Sequence, residues 1–150
     1  MKNRVPPLIW MILTGAIMWL VARSPFGYRV ELPYLAEIGT LFIALGVIVV
    51  ALGIRQFAKL ETTVNPLDLT ESTRLASQGP YRFTRNPMYL GLTLILVGWA
   101  FHLDSPVNIV CIAAFVIVMT EWQIKPEEAA LLKLFGGEYE AYCQRVRRWV

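Results

Sequence analysis

Long uncharged stretches dominate the pattern of hydrophobic and polar positions along this chain. Residues 5–22, 38–54, 86–103 and 105–120 contain no Asp, Glu, Lys or Arg, and each stretch is 16 to 18 residues long. Inside a bilayer every backbone N–H and C=O must be paired within the protein, so such stretches have to be helical. The pattern predicts an all-α integral membrane protein with four short transmembrane helices. They are expected at about residues 6–22, 38–54, 87–103 and 106–122.

The connections and the glycine spacing predict how these helices pack. Only residues 103–106, Leu-Asp-Ser-Pro, separate the third and fourth stretches, so these two helices must form a tight antiparallel hairpin. Glycines recur every seven residues in the second and third helices, at 39, 46 and 53 and at 91 and 98. Each set forms a stripe without side chains, which allows another helix to approach closely. The stripes leave room for an oligomer but do not require one.

Basic residues predict the orientation in the membrane. The N-terminus, the long loop at 55–86 and the C-terminal segment carry 12 of the 14 Lys and Arg residues. Cytoplasmic loops are enriched in these residues, so both termini and the 55–86 loop are predicted to lie in the cytoplasm. Cytoplasmic helices at 125–150 complete a single domain in the plasma or inner membrane. The first helix also resembles a signal peptide, but Arg23 and Pro25 directly after it are poor neighbours for a cleavage site.

Composition narrows the possible chemistry. The 150 residues are 56% hydrophobic, with a mean hydropathy of +0.51 and a net charge of +3. Membrane topology explains the positive surplus, so no nucleic-acid partner is expected. The chain has one histidine, His102, and two cysteines, Cys111 and Cys143. These are too few for a multi-histidine iron or zinc site or a thiolate cluster, and no metal is predicted.

Two polar clusters flank the predicted hairpin at its cytoplasmic end. Residues 79–91, Gly-Pro-Tyr-Arg-Phe-Thr-Arg-Asn-Pro-Met-Tyr-Leu-Gly, precede the third helix, and residues 123–128, Gln-Ile-Lys-Pro-Glu-Glu, follow the fourth. Because the two helices form a hairpin, the clusters are predicted to be neighbours in space. Each also has a purely structural explanation. The arginines suit any cytoplasmic loop, and a proline followed by glutamates suits any helix N-terminus.

The order of residues in these clusters resembles one enzyme family. The 79–91 segment is followed, 36 residues after Gly91, by Glu-Glu, then by Leu-x-x-x-Phe-Gly-x-x-Tyr-x-x-Tyr and a closing Val-Arg-Arg-Trp. This pattern resembles the isoprenylcysteine carboxyl methyltransferase family, allied to the phospholipid methyltransferases, in a short form of prokaryotic type. The resemblance covers about residues 62–150. In one departure, two glycines, Gly136 and Gly137, stand where one is usual.

The resemblance implies a cytoplasm-facing site for S-adenosylmethionine, between the end of the hairpin and the C-terminal helices. Carried over to this chain, its cofactor-binding residues are Tyr81, Arg85, Asn86, Pro87, Tyr89, Gly91, Glu127 and Glu128. Arg85, whose planar guanidinium can bind both oxygens of a carboxylate, and Glu127 are the implied catalytic residues. Many relatives have histidine at the position of Asn86. Asparagine does not titrate near neutral pH, so a general base at this position is excluded.

The implied reaction is S-adenosylmethionine-dependent methyl transfer to a lipophilic acceptor at the membrane surface. A carboxylate of an isoprenoid-type or other lipid-like substrate is the favoured acceptor, because its charge and the sulfonium charge disappear together, which a dry pocket promotes. The alternative in the same class is N-methylation of an aminophospholipid headgroup. Two other classes stay open, an NADPH-dependent membrane reductase and a helical bundle without enzymatic activity. The expected partners are a lipid-like substrate and membrane lipids.

Overall fold

The computed structural model describes residues 5–30, 32–59 and 75–150. These residues form helices and loops without any β-strand, so the all-α prediction is confirmed for this part of the chain. The helices are α1 (Pro7–Arg23), α2 (Leu35–Lys59), α3 (Pro87–His102), α4 (Asn108–Val118), α5 (Lys125–Phe135) and α6 (Gly137–Arg145). A 3-10 turn at Gly79–Arg82 precedes α3, and a π-helical segment at Met119–Ile124 follows α4. The middle of the predicted 55–86 loop lies outside the described residues.

Helices α2 and α3 pack antiparallel with their backbones in close contact. A Cβ atom on Gly46 would lie 2.6 Å from the Gly91 carbonyl oxygen, and one on Gly98 would lie 2.5 Å from that of Gly39. Both distances are shorter than any normal contact of a Cβ atom, so only glycine fits at these positions. The predicted glycine stripes therefore form a seam between two helices of the same chain.

Helices α1 and α4 pack against other faces of α3. Their shared core contains Met18 of α1, Leu96 of α3 and Phe115 of α4, each at most 2% exposed. The indole N–H of Trp99 donates to the Gly15 carbonyl at 3.1 Å, which ties α1 directly to α3. Helix α3 thus contacts α1, α2 and α4.

The predicted hairpin between α3 and α4 is present, with residues 103–107 as its connection. The helix that follows is longer than predicted, because α4 continues into α5. Asp104 turns the chain with φ of +51°, and α4 begins a few residues later. At the end of α4 the chain does not break. The Lys125 N–H donates to the carbonyl of Thr120, five residues earlier, so a π-helical turn leads directly into α5. Pro126 has no N–H to donate and follows directly on the π-helical turn, so the irregular hydrogen bonding of this long helix lies next to its proline.

The surface of the bundle suits a lipid environment. The helical stretches Leu35–Ala58 and Asn108–Phe135 are long and apolar enough to cross a membrane, whereas α1 and α3 are shorter, at 17 and 16 residues. Several large apolar side chains on α1 and α2 are more than half exposed, among them Leu8, Ile12, Leu20, Leu41 and Ile48. Exposed apolar surface of this extent marks contact with a membrane or a partner. This surface thus supports membrane association, and the four-span topology stays a prediction.

A side chain placed in the glycine seam should lower the stability of the fold. We expect Gly46→Ala to lower the free energy of unfolding by about 1–3 kcal/mol, because its methyl group would collide with the α3 backbone. Gly15→Ala is the matched control within a helix, since its Cβ would make ordinary contacts of 3.9 Å. Thermal unfolding of the detergent-solubilised protein, followed by circular dichroism, measures both. Equal melting temperatures for the two variants would contradict the close backbone seam.

Candidate active site

The turn before α3 is fixed from two sides. The Tyr81 ring packs edge-to-face on Phe57 of α2, with ring centroids 5.4 Å apart. The Tyr142 hydroxyl of α6 donates to the Tyr81 carbonyl at 2.8 Å. Gly79 opens this turn with φ of +61°, in the left-handed region that favours glycine. Tyr81 is therefore buried between α2 and α6 and sets the path of the chain into α3.

An extended segment at the C-terminus, residues 146–150, closes over the start of α3, and we call it the C-terminal strap. The Arg85 N–H donates to the Arg147 carbonyl at 2.9 Å. The Arg148 carbonyl accepts hydrogen bonds from the Asn86 amide at 2.9 Å and from the Thr84 hydroxyl at 3.2 Å. These three contacts make the strap and residues 84–86 a single structural unit.

Glu128 joins two arginines beneath the strap. One of its carboxylate oxygens lies 3.3 Å from an Arg85 guanidinium nitrogen, and the other lies 2.7 Å from Arg148. The Arg148 Nε also donates to both oxygens, at 3.0 and 3.2 Å, so this pair is bidentate. The Arg85 and Glu128 side chains are only 14% and 15% exposed. The Arg85 guanidinium also contacts the Cys143 thiol.

Glu127, the neighbouring carboxylate, faces a different partner. It accepts a hydrogen bond of 2.6 Å from the hydroxyl of Tyr89. Tyr89 lies in the first turn of α3 and is buried, and Glu127 lies in the first turn of α5 and is half-buried. The bond therefore crosses from one predicted polar cluster to the other. The expectation that the two clusters are neighbours in space is confirmed.

Most of the predicted site residues come together, although their roles in cofactor binding stay predictions. One contiguous cluster contains Arg85, Asn86, Tyr89, Glu127 and Glu128. Tyr81 is linked to it through Tyr142, and Pro87 is buried at the first position of α3. Gly91 is placed differently. A Cβ on it would lie 2.6 Å from Val50 and 2.7 Å from the Gly46 carbonyl, so it faces α2 in the glycine seam.

Several residues of the cluster were not predicted. Arg148, Thr84, Cys143 and Tyr142 all contact predicted site residues. Arg148 belongs to the closing Val-Arg-Arg-Trp pattern, but composition alone assigns such arginines to anionic lipid. The same pattern contains a signal that could have identified Arg148. Arginines in a C-terminal segment can form ion pairs with two adjacent glutamates elsewhere in the chain.

Burial and charge keep the tyrosines of this region neutral. Burial raises the pKa of the Tyr81, Tyr139 and Tyr142 hydroxyls well above their ordinary value. The nearby Glu128 carboxylate raises the pKa of Tyr139 further. The hydrogen bonds from Arg148 to Glu128 raise the pKa of the Arg148 guanidinium, which stays charged. The cluster therefore combines charged carboxylates and guanidinium groups with neutral phenols.

Comparison with known proteins gives this arrangement a family. The model of the phospholipid methyltransferase family matches residues 34–138, more than two thirds of the chain. The chain belongs to this family. An uncharacterized protein of Haemophilus influenzae is 41% identical to this phospholipid methyltransferase family member over 63 residues, which are 42% of the chain and all of that protein.

Plant relatives of this family member carry a named activity. A probable protein-S-isoprenylcysteine O-methyltransferase of Oryza sativa is 28% identical over 116 residues, 75% of the chain and 59% of that protein. Protein-S-isoprenylcysteine O-methyltransferase B of Arabidopsis thaliana is 28% identical over 113 residues, 75% of the chain and 57% of that protein. The chain thus spans less than two thirds of the length of these plant relatives. The resemblance seen in the sequence is confirmed.

The buried tyrosines should make the fold of this family member sensitive to alkali. The folded chain keeps three phenolic protons that the unfolded chain releases above about pH 10. We expect the melting temperature to fall as the pH rises from 9 to 11, and to fall less steeply in Tyr139→Phe, which lacks one of these groups. Thermal scans at each pH measure this. The same slope in both proteins would contradict the assignment for Tyr139.

Proposed function

We propose that the chain transfers a methyl group from S-adenosylmethionine to a lipophilic acceptor at the membrane surface, with a lipid-like carboxylate as the favoured acceptor. One observation carries the proposal. The Tyr89–Glu127 hydrogen bond and the Arg85–Glu128 ion pair form one partly buried charged cluster at the end of an apolar bundle. Membership of a methyltransferase family supports the same reaction.

The residues of the cluster fit S-adenosylmethionine chemically. This cofactor has a carboxylate, an ammonium group and ribose hydroxyls beside its sulfonium. Glu127 can accept hydrogen bonds from the ammonium or a hydroxyl. The Nε atom of Arg85 is buried and has no hydrogen-bond partner within the described part of the chain, so a donor is available for a carboxylate oxygen. Positive and negative groups of the ligand thus each have a complementary residue.

The work of these residues is mainly to bind, to orient and to exclude water. When bound, S-adenosylmethionine supplies an electrophilic methyl group on its sulfonium. Tyr89 holds the Glu127 carboxylate in one orientation through its hydroxyl. Arg85 is proposed to hold a carboxylate with its planar fork. No protein acid is needed, because the sulfonium leaves as a neutral thioether. A site shielded by the C-terminal strap strengthens these interactions, since less water screens them.

The proposed lipophilic acceptor has a matching apolar surface. A cavity of about 440 Å³, open to the surface of the bundle, lies between α1, α2 and α3, and its lining is entirely apolar, including Ile12, Gly15, Ile43 and Leu96. Leu96 follows Tyr89 by seven residues on α3, hence on the same helix face and about 10 Å further along it. An acceptor with its polar head beside Tyr89 and a tail in this cavity therefore needs a hydrocarbon chain of at least that length.

The same proposal includes the placement of the chain in the membrane. We propose a single methyltransferase domain whose four apolar helices span the bilayer, with both termini in the cytoplasm. The exposed apolar faces of α1 and α2 support the spans. The concentration of 12 basic residues in the two termini and the long loop supports the orientation.

N-methylation of an aminophospholipid is the second candidate, favoured by the description of the matching family as phospholipid methyltransferase. In this reaction a neutral amine becomes a cation, which the Glu127 carboxylate would stabilise. Transfer of a labelled methyl group to lipid carboxylates and to phosphatidylethanolamine, tested side by side in detergent, distinguishes the two acceptors. Transfer to phosphatidylethanolamine alone would replace the first candidate by the second.

Donor binding tests the cofactor site. We expect Glu127→Gln and Arg85→Ala to weaken binding of S-adenosylhomocysteine by about 1–3 kcal/mol, because each removes a charged hydrogen-bonding group. Glu138→Gln is the control, since Glu138 is an exposed carboxylate in the first turn of α6. Isothermal titration calorimetry of the purified wild type and the three variants measures the four affinities. Unchanged affinity in both site variants would contradict the site assignment, and no binding by the wild type would contradict the function.

Filling the apolar cavity tests the acceptor. We expect Gly15→Leu to reduce turnover of long-chain acceptors several-fold while donor affinity stays at the wild-type level, because the new side chain occupies the cavity and not the charged cluster. Gly15→Ala, which adds only one methyl group, is the matched control. A loss of donor affinity in Gly15→Leu would show that the cavity and the charged cluster are not separate subsites.

A further inference from the structure

The two adjacent glutamates at the start of α5 have unequal surroundings. Glu127 accepts a hydrogen bond from the Tyr89 hydroxyl, whereas Glu128 is bonded to two guanidinium groups. A single carboxylate between two cations cannot neutralise both. Glu128 and its two arginines therefore retain one net positive charge in a partly buried site.

We propose that Arg148 is a positioning residue that takes over most of the Glu128 charge and so leaves Arg85 available for the carboxylate of the methyl donor. The proposal rests on the proposed function. Its basis is the geometry of the two ion pairs. Arg148 meets Glu128 through three contacts of 2.7 to 3.2 Å, whereas the Arg85 ion pair with Glu128 measures 3.3 Å. The closer and bidentate pair is the stronger one.

The position of Arg148 is fixed independently of its side chain. Its carbonyl accepts hydrogen bonds from Asn86 and Thr84. On one side of it, Val146 is buried against Tyr139 and Tyr142. On the other, the Trp149 indole donates to the Thr120 hydroxyl at 3.1 Å. The guanidinium therefore reaches Glu128 from a backbone that is already fixed, so forming the pair costs only the rotamer freedom of the Arg148 side chain.

Arg85 has the features of a partly released cation. Its Nε is buried and lacks a partner in the described part of the chain, and its guanidinium also contacts the Cys143 thiol, which is not a carboxylate. Without Arg148, Glu128 would have Arg85 as its only cationic partner among the described residues, and the two would form a neutral pair. Loss of Arg148 should therefore weaken binding of a ligand carboxylate specifically, and not binding of the nucleoside part of the same ligand.

Two ligands, one with and one without the amino-acid part that contains this carboxylate, test the proposal. S-adenosylhomocysteine has the amino-acid carboxylate and 5′-methylthioadenosine lacks the whole amino-acid part. We expect Arg148→Ala to lower affinity for S-adenosylhomocysteine about tenfold or more, with affinity for 5′-methylthioadenosine within about twofold of wild type. Arg148→Lys should recover part of the loss, since it restores the charge without the bidentate geometry.

The matched control is Arg147→Ala. It also removes one positive charge from the C-terminal strap, but the Arg147 side chain is exposed, and the backbone carbonyl that binds the Arg85 N–H remains. It should bind both ligands like wild type. Equal losses for both ligands in Arg148→Ala would make Arg148 a purely structural residue and overturn the proposal, as would wild-type affinity for both. Failure of the wild-type protein to bind either ligand would instead overturn the proposed function.

Discussion

Close contact between the backbones of α2 and α3 is the constraint on which the rest of the structure depends. Where Gly46 meets Gly91 and Gly39 meets Gly98, no side chain separates the two helices. This contact fixes α3 along most of its length, and α1 and α4 then pack on its remaining faces. In lipid, where apolar side chains gain little by associating with each other, such close packing is the main source of helix association. The residues at the N-terminal end of α3, where the charged cluster lies, depend on this seam for their position.

The charged cluster is built where three separate parts of the chain converge. The turn before α3 contributes Arg85, the first turn of α5 contributes Glu127 and Glu128, and the C-terminal strap contributes Arg148. Removing such charges from water is unfavourable unless each finds a partner. Hydrogen bonds and ion pairs bind these groups to one another, so the folded arrangement tolerates partial burial. These contacts fix most of the charged side chains relative to one another, as the proposed positioning role requires.

Much of the fold follows from the sequence because the membrane leaves few choices. The apolar stretches, the tight hairpin and the neighbouring polar clusters all follow from helix formation and short connections. The position of Gly91 does not follow from the sequence. A glycine within a sequence motif can allow either a close helix contact or the close approach of a ligand, and the residues alone do not distinguish the two. The partners of Glu128 do not follow either. Arg148 is 20 residues away in sequence and meets Glu128 only because the strap folds back, which no local periodicity encodes.

The π-helical turn at Met119–Ile124 has a consequence for the angle at which the two glutamates face the rest of the protein. A π turn holds about one residue more than an α turn, and one residue corresponds to about 100° of rotation around a helix axis. The turn therefore sets the rotational phase of α5 relative to α4. In a continuous α-helix of the same sequence, Glu127 and Glu128 would point about a quarter turn away from Tyr89 and Arg85. This one π-helical turn in a long helix thus rotates α5 so that Glu127 and Glu128 face Tyr89 and Arg85.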